Sequence, residues 1–214
     1  MDKSKIFTSR QYLHKYPETK PKMDIERANR YLQDLKKVFD KHNIPFFLFF
    51  GTLLGAVREE DIIAYDDDVD IGILGEDEAK VMPLEKEFKD MGYYVMQTTS
   101  QGRLSSAYIA KKAHREKVDI CTLFRSQGKR WFLRYGNDKK NGAHIKAIPY
   151  TAKYFEKFET IHFKGEDYRV PSPPEEFLTE LWGEEWYIAR GGQFGVIPGM
   201  IFAPPESFKM EAKQ

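Results

Sequence analysis

Apolar positions along this chain change their spacing from segment to segment, and the changes mark out its elements. Residues 1–23 are polar and lysine-rich with Pro17 and Pro21, the pattern of an arm laid over a domain rather than part of its core. Ile25, Ala28, Leu32, Leu35 and Phe39 then recur at spacings of three and four. That period predicts a helix with Asp24 as its N-cap and Lys41, His42 and Asn43 at its C-terminal end. The block Ile44 to Phe50 is too apolar for a half-exposed strand and too short for a second helix, so it predicts a central buried strand. Gly51-Thr52 breaks that strand, and Leu53 to Arg58 follow as one or two helical turns.

Period two takes over next. In an extended Asp66-Asp67-Asp68-Val69-Asp70-Ile71-Gly72-Ile73, alternate residues share a face. Val69, Ile71 and Ile73 are assigned to the core, Asp68 and Asp70 to the opposite face, with Asp66 in phase and Asp67 out of phase. Glu76 to Met91 has helical spacing and is divided by Pro83. Tyr93 to Gln97, Leu104 to Lys111 and Lys117 to Phe124 read as strands, the last carrying a lone acid in Val118-Asp119-Ile120. Antiparallel pairing beside the Asp68/Asp70 strand brings Asp119 to the same face and completes a three-carboxylate site.

Two further strands, Arg130 to Tyr135 and Ala143 to Ile148, flank an expected turn at Gly136-Asn137-Asp138. Phe158 to Phe163 and Asp167 to Val170 suit a hairpin about Lys164-Gly165-Glu166. Ser172-Pro173-Pro174-Glu175 has capping-box spacing and opens a helix to Trp182 that stops at Gly183. The expected organisation is an N-terminal arm (1–23), one α+β domain (24–190) and an irregular Gly- and Pro-rich tail (191–214).

Charge and composition narrow the chemistry. With 34 basic and 33 acidic residues, the chain lacks the excess charge that drives bulk nucleic-acid binding, so any phosphate ligand must be met by a local site. The single Cys121 rules out an intramolecular disulfide and a cysteine-based zinc cluster. No apolar run approaches the roughly 18 residues of a membrane span, and a soluble, cytoplasmic protein is expected, with peripheral membrane contact still compatible. Like charges about 4 Å apart repel by roughly 4 kcal/mol at an effective dielectric near 20. The carboxylates therefore call for a cation, most simply a divalent metal. An EF-hand does not supply it, because Ile71 stands where that loop needs Gly and Asp77 where it needs Glu. The Gly51-Thr52 turn, by contrast, offers free amides and a helix dipole to a phosphate. Trp131, Tyr135, Trp182 and Trp186 are assigned to core packing before a ligand pocket, and His144 is the one histidine worth testing.

Gly51-Thr52-Leu53-Leu54-Gly55-Ala56-Val57-Arg58, then after six residues Tyr65-Asp66-Asp67-Asp68-Val69-Asp70-Ile71, resembles the signature of the LicD family. That family belongs to the nucleotidyltransferase-fold superfamily and includes bacterial phosphocholine transferases and the animal fukutin and fukutin-related proteins. Asp61 to Asp70 is particularly similar to the fukutin-related, ribitol-phosphate-transferring branch. The resemblance spans roughly 24–187, with Val118-Asp119-Ile120 matching the third acidic strand and Phe163-Lys164-Gly165 through Trp182-Gly183 the closing segment. Departures are Glu59 for the usual His, Ala64-Tyr65 for Pro-Trp, and Cys121-Thr122 for Phe-Pro; the cysteine-ligated zinc insertion is absent.

The resemblance implies a nucleotidyltransferase-like mixed β-sheet flanked by helices, with a C-terminal hairpin and helix. It implies transfer of a phospho-polyol or phosphocholine group from a CDP-linked donor to a glycan or glycolipid hydroxyl, with release of CMP. Asp68, Asp70, Asp119 and Asp66 would hold Mg²⁺ or Mn²⁺; Gly51 and Thr52 would cradle a phosphate and Arg58 would pair with it; Asp119 would be a third ligand or the acceptor's base. Transfer of NMP from an NTP, or ligand binding without catalysis, are the alternatives on the same fold.

Overall fold

A computed structural model of the chain describes residues 3–19, 23–100, 102–138, 142–190 and 201–203, the side chains of residues 100, 135–138, 142–145 and 201–203 excepted. Two helices, α1 (Ser9–Lys15) and α2 (Ile25–Lys41), precede a two-residue strand, β1 (Phe47–Leu48), and a third helix, α3 (Phe50–Glu59). The acidic strand β2 (Val69–Leu74) leads into α4 (Glu78–Val81) and α5 (Glu85–Asp90), joined by a 3-10 turn at Met82–Leu84. Long strands follow: β3 (Tyr94–Ser100), β4 (Arg103–Ala110), β5 (Lys117–Ser126), β6 (Lys129–Asp138) and β7 (Gly142–Thr151). A separate hairpin, β8 (Phe158–Phe163) and β9 (Glu166–Pro171), is followed by α6 (Pro174–Trp182) and a short strand, β10 (Ile201–Ala203). The architecture is α+β, with a mixed sheet flanked by helices.

Helix α2 forms where the periodicity places it. The Asp24 side chain accepts from the Arg27 N–H, and the stripe Ala28, Tyr31, Leu32, Leu35, Val38, Phe39 is buried. Fully burying side chains such as Leu32, Leu35 and Phe39 contributes about 1.5–3 kcal/mol each. Pro83 divides the following helix as expected. Lys164 and Gly165 both take positive φ, 52° and 89°, the backbone a tight hairpin turn between β8 and β9 requires. Helix α1 lies within the arm and has its own sequence signal, Thr8-x-x-Gln11: the Thr8 hydroxyl accepts from the Gln11 N–H while the Gln11 side chain accepts from the Thr8 N–H.

The large sheet runs β1-β2-β5-β6-β7-β10 and forks at β5. The first half of β5 pairs antiparallel with β4, which carries β3, and its second half pairs antiparallel with β6. Strands β2 and β5 are parallel, not antiparallel as expected, with Val69 opposite Val118 and Asp70 opposite Asp119. A parallel pair needs a crossover of a dozen or so residues. Here α4, α5 and the β3–β4 hairpin make it.

Other expectations are corrected. The apolar block before Gly51 is no central strand: among the described residues β1 pairs with β2 alone, at the sheet edge, and is buried because the β8–β9 hairpin and the rings of Phe155 and Phe158 cover Phe47. The helix after it starts at Phe50 rather than Leu53. Gly136-Asn137-Asp138 continues β6, paired with His144, Ala143 and Gly142, and is not a turn. Ser172 forms no capping box; Pro173 is the N-cap of α6, and the Ser172 hydroxyl donates to Glu159 at 2.6 Å. Within the stretch expected to be irregular, Ile201–Ala203 extends the sheet beside β7; the rest of 191–214 lies outside the described residues.

Candidate active site

The centre is built by alternation on two neighbouring strands. Val69, Ile71 and Ile73 of β2 and Val118 and Ile120 of β5 are buried in the core, which turns Asp70 and Asp119 to the other face, side by side. Asp68 stands just before β2. One oxygen from each of Asp68, Asp70 and Asp119 lies within 4.8 Å of the other two. Asp66, Asp67 and Asp68 form a second such group. Asp67 joins it against expectation, because the strand begins only at Val69 and period-two phasing does not reach back to Asp66 and Asp67.

Asp70 is only 9% exposed. Burial pushes its carboxyl well above the usual range, and the charges of Asp68, Asp119 and Asp66 push it further. Burial also raises Asp119, although Lys117 opposes this. Lys117 is the residue that sequence reasoning missed. Its Nζ donates to Asp68 Oδ2 at 2.7 Å and to Asp119 Oδ2. Burial works against the ammonium, but Asp119 and Asp68 outweigh it and raise Lys117 above its ordinary value, so it stays charged. The Lys117-Val118-Asp119 alternation, which puts both charges on one face, was the available signal. Among the described residues, Asp119 Oδ1 is buried and has no hydrogen-bond partner. An orphaned carboxylate oxygen beside two further carboxylates is a hard, all-oxygen donor set, and it fits Mg²⁺ or Mn²⁺.

Helix α3 packs against β2 and brings Gly51 and Thr52 up to these acids. A Cβ at Gly51 would stand 2.2 Å from Asp66 Oδ2, so glycine leaves room for that carboxylate. The Thr52 hydroxyl accepts from the Asp70 N–H at 2.7 Å and thereby ties the first turn of α3 to β2. The open turn expected at Gly51-Thr52 is thus a helical turn whose threonine is engaged by the acidic strand. Arg58 is buried, and its Nε and Nη2 donate to Glu59 Oε1 at 3.1 and 2.5 Å. Glu59 Oε2 accepts from the Ser9 N–H at 2.9 Å and from its hydroxyl at 2.6 Å. The Ser9 oxygen accepts in turn from the Ala64 N–H at 3.0 Å. Arg58, expected to grip a phosphate, is charge-matched by its neighbour and latched to the N-terminal segment.

Two cavities open on either side of the acids. One, of about 140 Å³, is lined by Gly51, Arg58, Asp66, Asp70, Trp182 and Trp186 among others. The other, of about 440 Å³, lies where the sheet forks and is lined by Asp68, Asp70, Tyr108, Asp119, Phe132 and Arg134 among others. Asp67 and Asp70 border both, so the carboxylates form a ridge between two chambers. Trp182 and Trp186 pack on the core as the sequence suggested and also line the first cavity, while Trp131 packs with Phe124, Leu133 and Ala147. The side chains of Tyr135 and His144 lie outside the described residues. Cys121 is buried.

Residues 43–173 match the family described as LicD/FKTN/FKRP, nucleotidyltransferase domain. The chain belongs to this family. The match takes in β1, α3 and all the acids, and ends before Trp182 and Trp186. An uncharacterized protein of Rickettsia typhi is 44% identical over 64 residues, 30% of this chain and 21% of its own length. The ribitol-5-phosphate transferase FKTN of Homo sapiens is 28% identical over 163 residues, 75% of this chain and 33% of its own. This LicD-family chain therefore spans a third or less of the length of these relatives. A solution structure of the antibiotic-resistance factor ANT(2'')-Ia aligns with a TM-score of 0.42 at 14% identity, covering 70% of this chain and 67% of that one. Among the described residues no helix is long and apolar enough to cross a membrane.

Proposed function

We propose that this LicD-family protein is a metal-dependent phosphotransferase. It moves a phospho-polyol group such as ribitol or glycerol phosphate, or phosphocholine, from a CDP-linked donor to a glycan or glycolipid hydroxyl and releases CMP. The observation that carries the reading is the in-register placement of Asp70 beside Asp119, with Asp68 adjacent, on a ridge between two chambers. Such a ridge suits a transfer between two substrates, with one on each side of the reacting centre. The family membership and the ribitol-5-phosphate transferase relative support a transferase of phosphate-bearing groups, from which the donor and acceptor classes are proposed.

Asp68, Asp70 and Asp119 would hold Mg²⁺ or Mn²⁺. When bound, the ion supplies charge neutralisation for the donor diphosphate and the leaving CMP. The protein's part is chiefly to position. Thr52 fixes the backbone of Asp70, Gly51 makes room for Asp66, and Lys117 orients Asp68 and Asp119. Alignment of the acceptor hydroxyl with the donor phosphorus and electrostatic stabilisation of the developing charge are the main demands of such a transfer.

The test is incubation of the protein with Mg²⁺ or Mn²⁺ and, separately, CDP-ribitol, CDP-glycerol, CDP-choline and NTPs, each with a glycan acceptor. CMP released from one of the CDP compounds supports the reading. Pyrophosphate from an NTP makes the protein a nucleotidyltransferase instead.

A further inference from the structure

We infer that Lys117 is a built-in counter-cation that keeps free divalent metal off the acidic centre until the metal arrives with the donor's diphosphate. The inference rests on the metal-dependent reading above and assigns a positioning residue to it.

The placement follows from the parallel register. Val69 pairs with Val118 and Asp70 with Asp119, so one step earlier Asp68 comes level with Lys117. Across the two strands a cation faces an acid at one level and an acid faces an acid at the next level on that face. Lys117 also lies two residues before Asp119, on the same face of β5. Its Nζ takes Oδ2 of Asp68 and Oδ2 of Asp119 and leaves Asp119 Oδ1 buried and unpartnered. Two of three expected ligands are therefore half-neutralised before any ion binds. A divalent ion drawn to Asp68, Asp70 and Asp119 lands within a few ångström of the ammonium, and two cations that close repel each other. A diphosphate relieves that repulsion. An ammonium has three N–H donors; two are spent on Asp68 and Asp119, and the third remains for a donor oxygen.

The test measures Mn²⁺ alone, with no donor present, by calorimetric titration of the full chain near neutral pH. Lys117→Met, which keeps the length of the side chain and removes its charge, is expected to bind Mn²⁺ at least about tenfold more tightly than wild type, a change of the size one nearby charge produces. Lys117→Arg, which keeps the charge, is expected to stay within about threefold of wild type. Mn²⁺ is also expected to raise the unfolding temperature of Lys117→Met more than that of wild type. Unchanged or weaker Mn²⁺ binding by a Lys117→Met variant with native circular dichroism overturns the inference and leaves the metal reading standing. No Mn²⁺ uptake by wild type or variant, even with the CDP donors added, overturns both. Should Lys117→Met not fold, a loss of Mn²⁺ affinity in Lys117→Arg is expected to be absent, and wild type binding free Mn²⁺ below micromolar Kd overturns the inference by itself.

Discussion

Asp70 of β2 and Asp119 of β5 stand opposite each other on one face of the sheet, and Lys117 bonds to Asp119 alone of the two. Asp70 is thus the more buried and the less compensated acid, held up by burial and by three neighbouring carboxylates. Replacing it should separate function from stability. Asp70→Asn is expected to abolish Mn²⁺ binding and transferase activity while stabilising the metal-free fold by about 1–2 kcal/mol, because a buried charge among like charges is removed. Urea unfolding in EDTA checks the second half; a loss of stability would show that the Asp70 charge serves the fold.

The same acids set a pH dependence. A carboxyl raised in the folded state binds more protons folded than unfolded, so its contribution to stability is present at low pH and falls as pH rises through the folded pKa. Asp61, Glu87 and Glu116 are held low and act in the opposite sense, losing stability as pH falls. The difference between wild type and Asp70→Asn isolates the first effect. In EDTA, the stability advantage of Asp70→Asn is expected to shrink as pH drops below neutral. Thermal unfolding from mildly acidic to neutral pH measures it, and an advantage that grows on acidification contradicts the assignment.

Gly51→Ala tests the space reserved for Asp66. Alanine in a helix is favoured over glycine by about 1 kcal/mol, yet its Cβ would stand 2.2 Å from Asp66 Oδ2. The variant is expected to fold with the Asp66 carboxylate displaced and to lose at least about tenfold in kcat/KM, the scale of a small misplacement at a reacting centre. Steady-state CMP release checks this against a stability within about 1 kcal/mol of wild type.

The N-terminal segment is tied to the site through Glu59. Its carboxylate accepts from Ser9 and from Arg58, with both charged partners buried. Glu59→Ala leaves the guanidinium unpaired and is expected to cost about 3–5 kcal/mol. Ser9→Ala removes one hydroxyl donor and is expected to cost about 1–3 kcal/mol. Chemical denaturation of the two variants gives the ranking, and equal small losses would show that the latch is exposed to solvent in practice.

Much of this was legible residue by residue. The three-four spacing in α2, the Pro83 break, the Lys164-Gly165 turn and the alternation about Asp70 and Asp119 are local patterns, and each produced the element it announced. The errors fell where the pattern stops. Period-two phasing does not reach back to Asp66 and Asp67 because β2 begins at Val69, and β6 carries Gly136 to Asp138 onward although their residue types suit a turn. The Lys117-Val118-Asp119 alternation puts lysine and acid on one face, but that the same lysine also meets Asp68 depends on the cross-strand pairing.

Sequence alone determined which residues turn inward and which acids share a face, since periodicity is written in neighbours a few positions apart. It also determined the family, through one contiguous signature. Only the tertiary structure decided that β2 and β5 run parallel, that Lys117 reaches both Asp68 and Asp119, and that Trp182 and Trp186 wall the chamber beyond them. These depend on contacts between segments about 50 to more than 100 residues apart, where the direction of pairing is set by the crossover that packs best and not by any pattern within either strand.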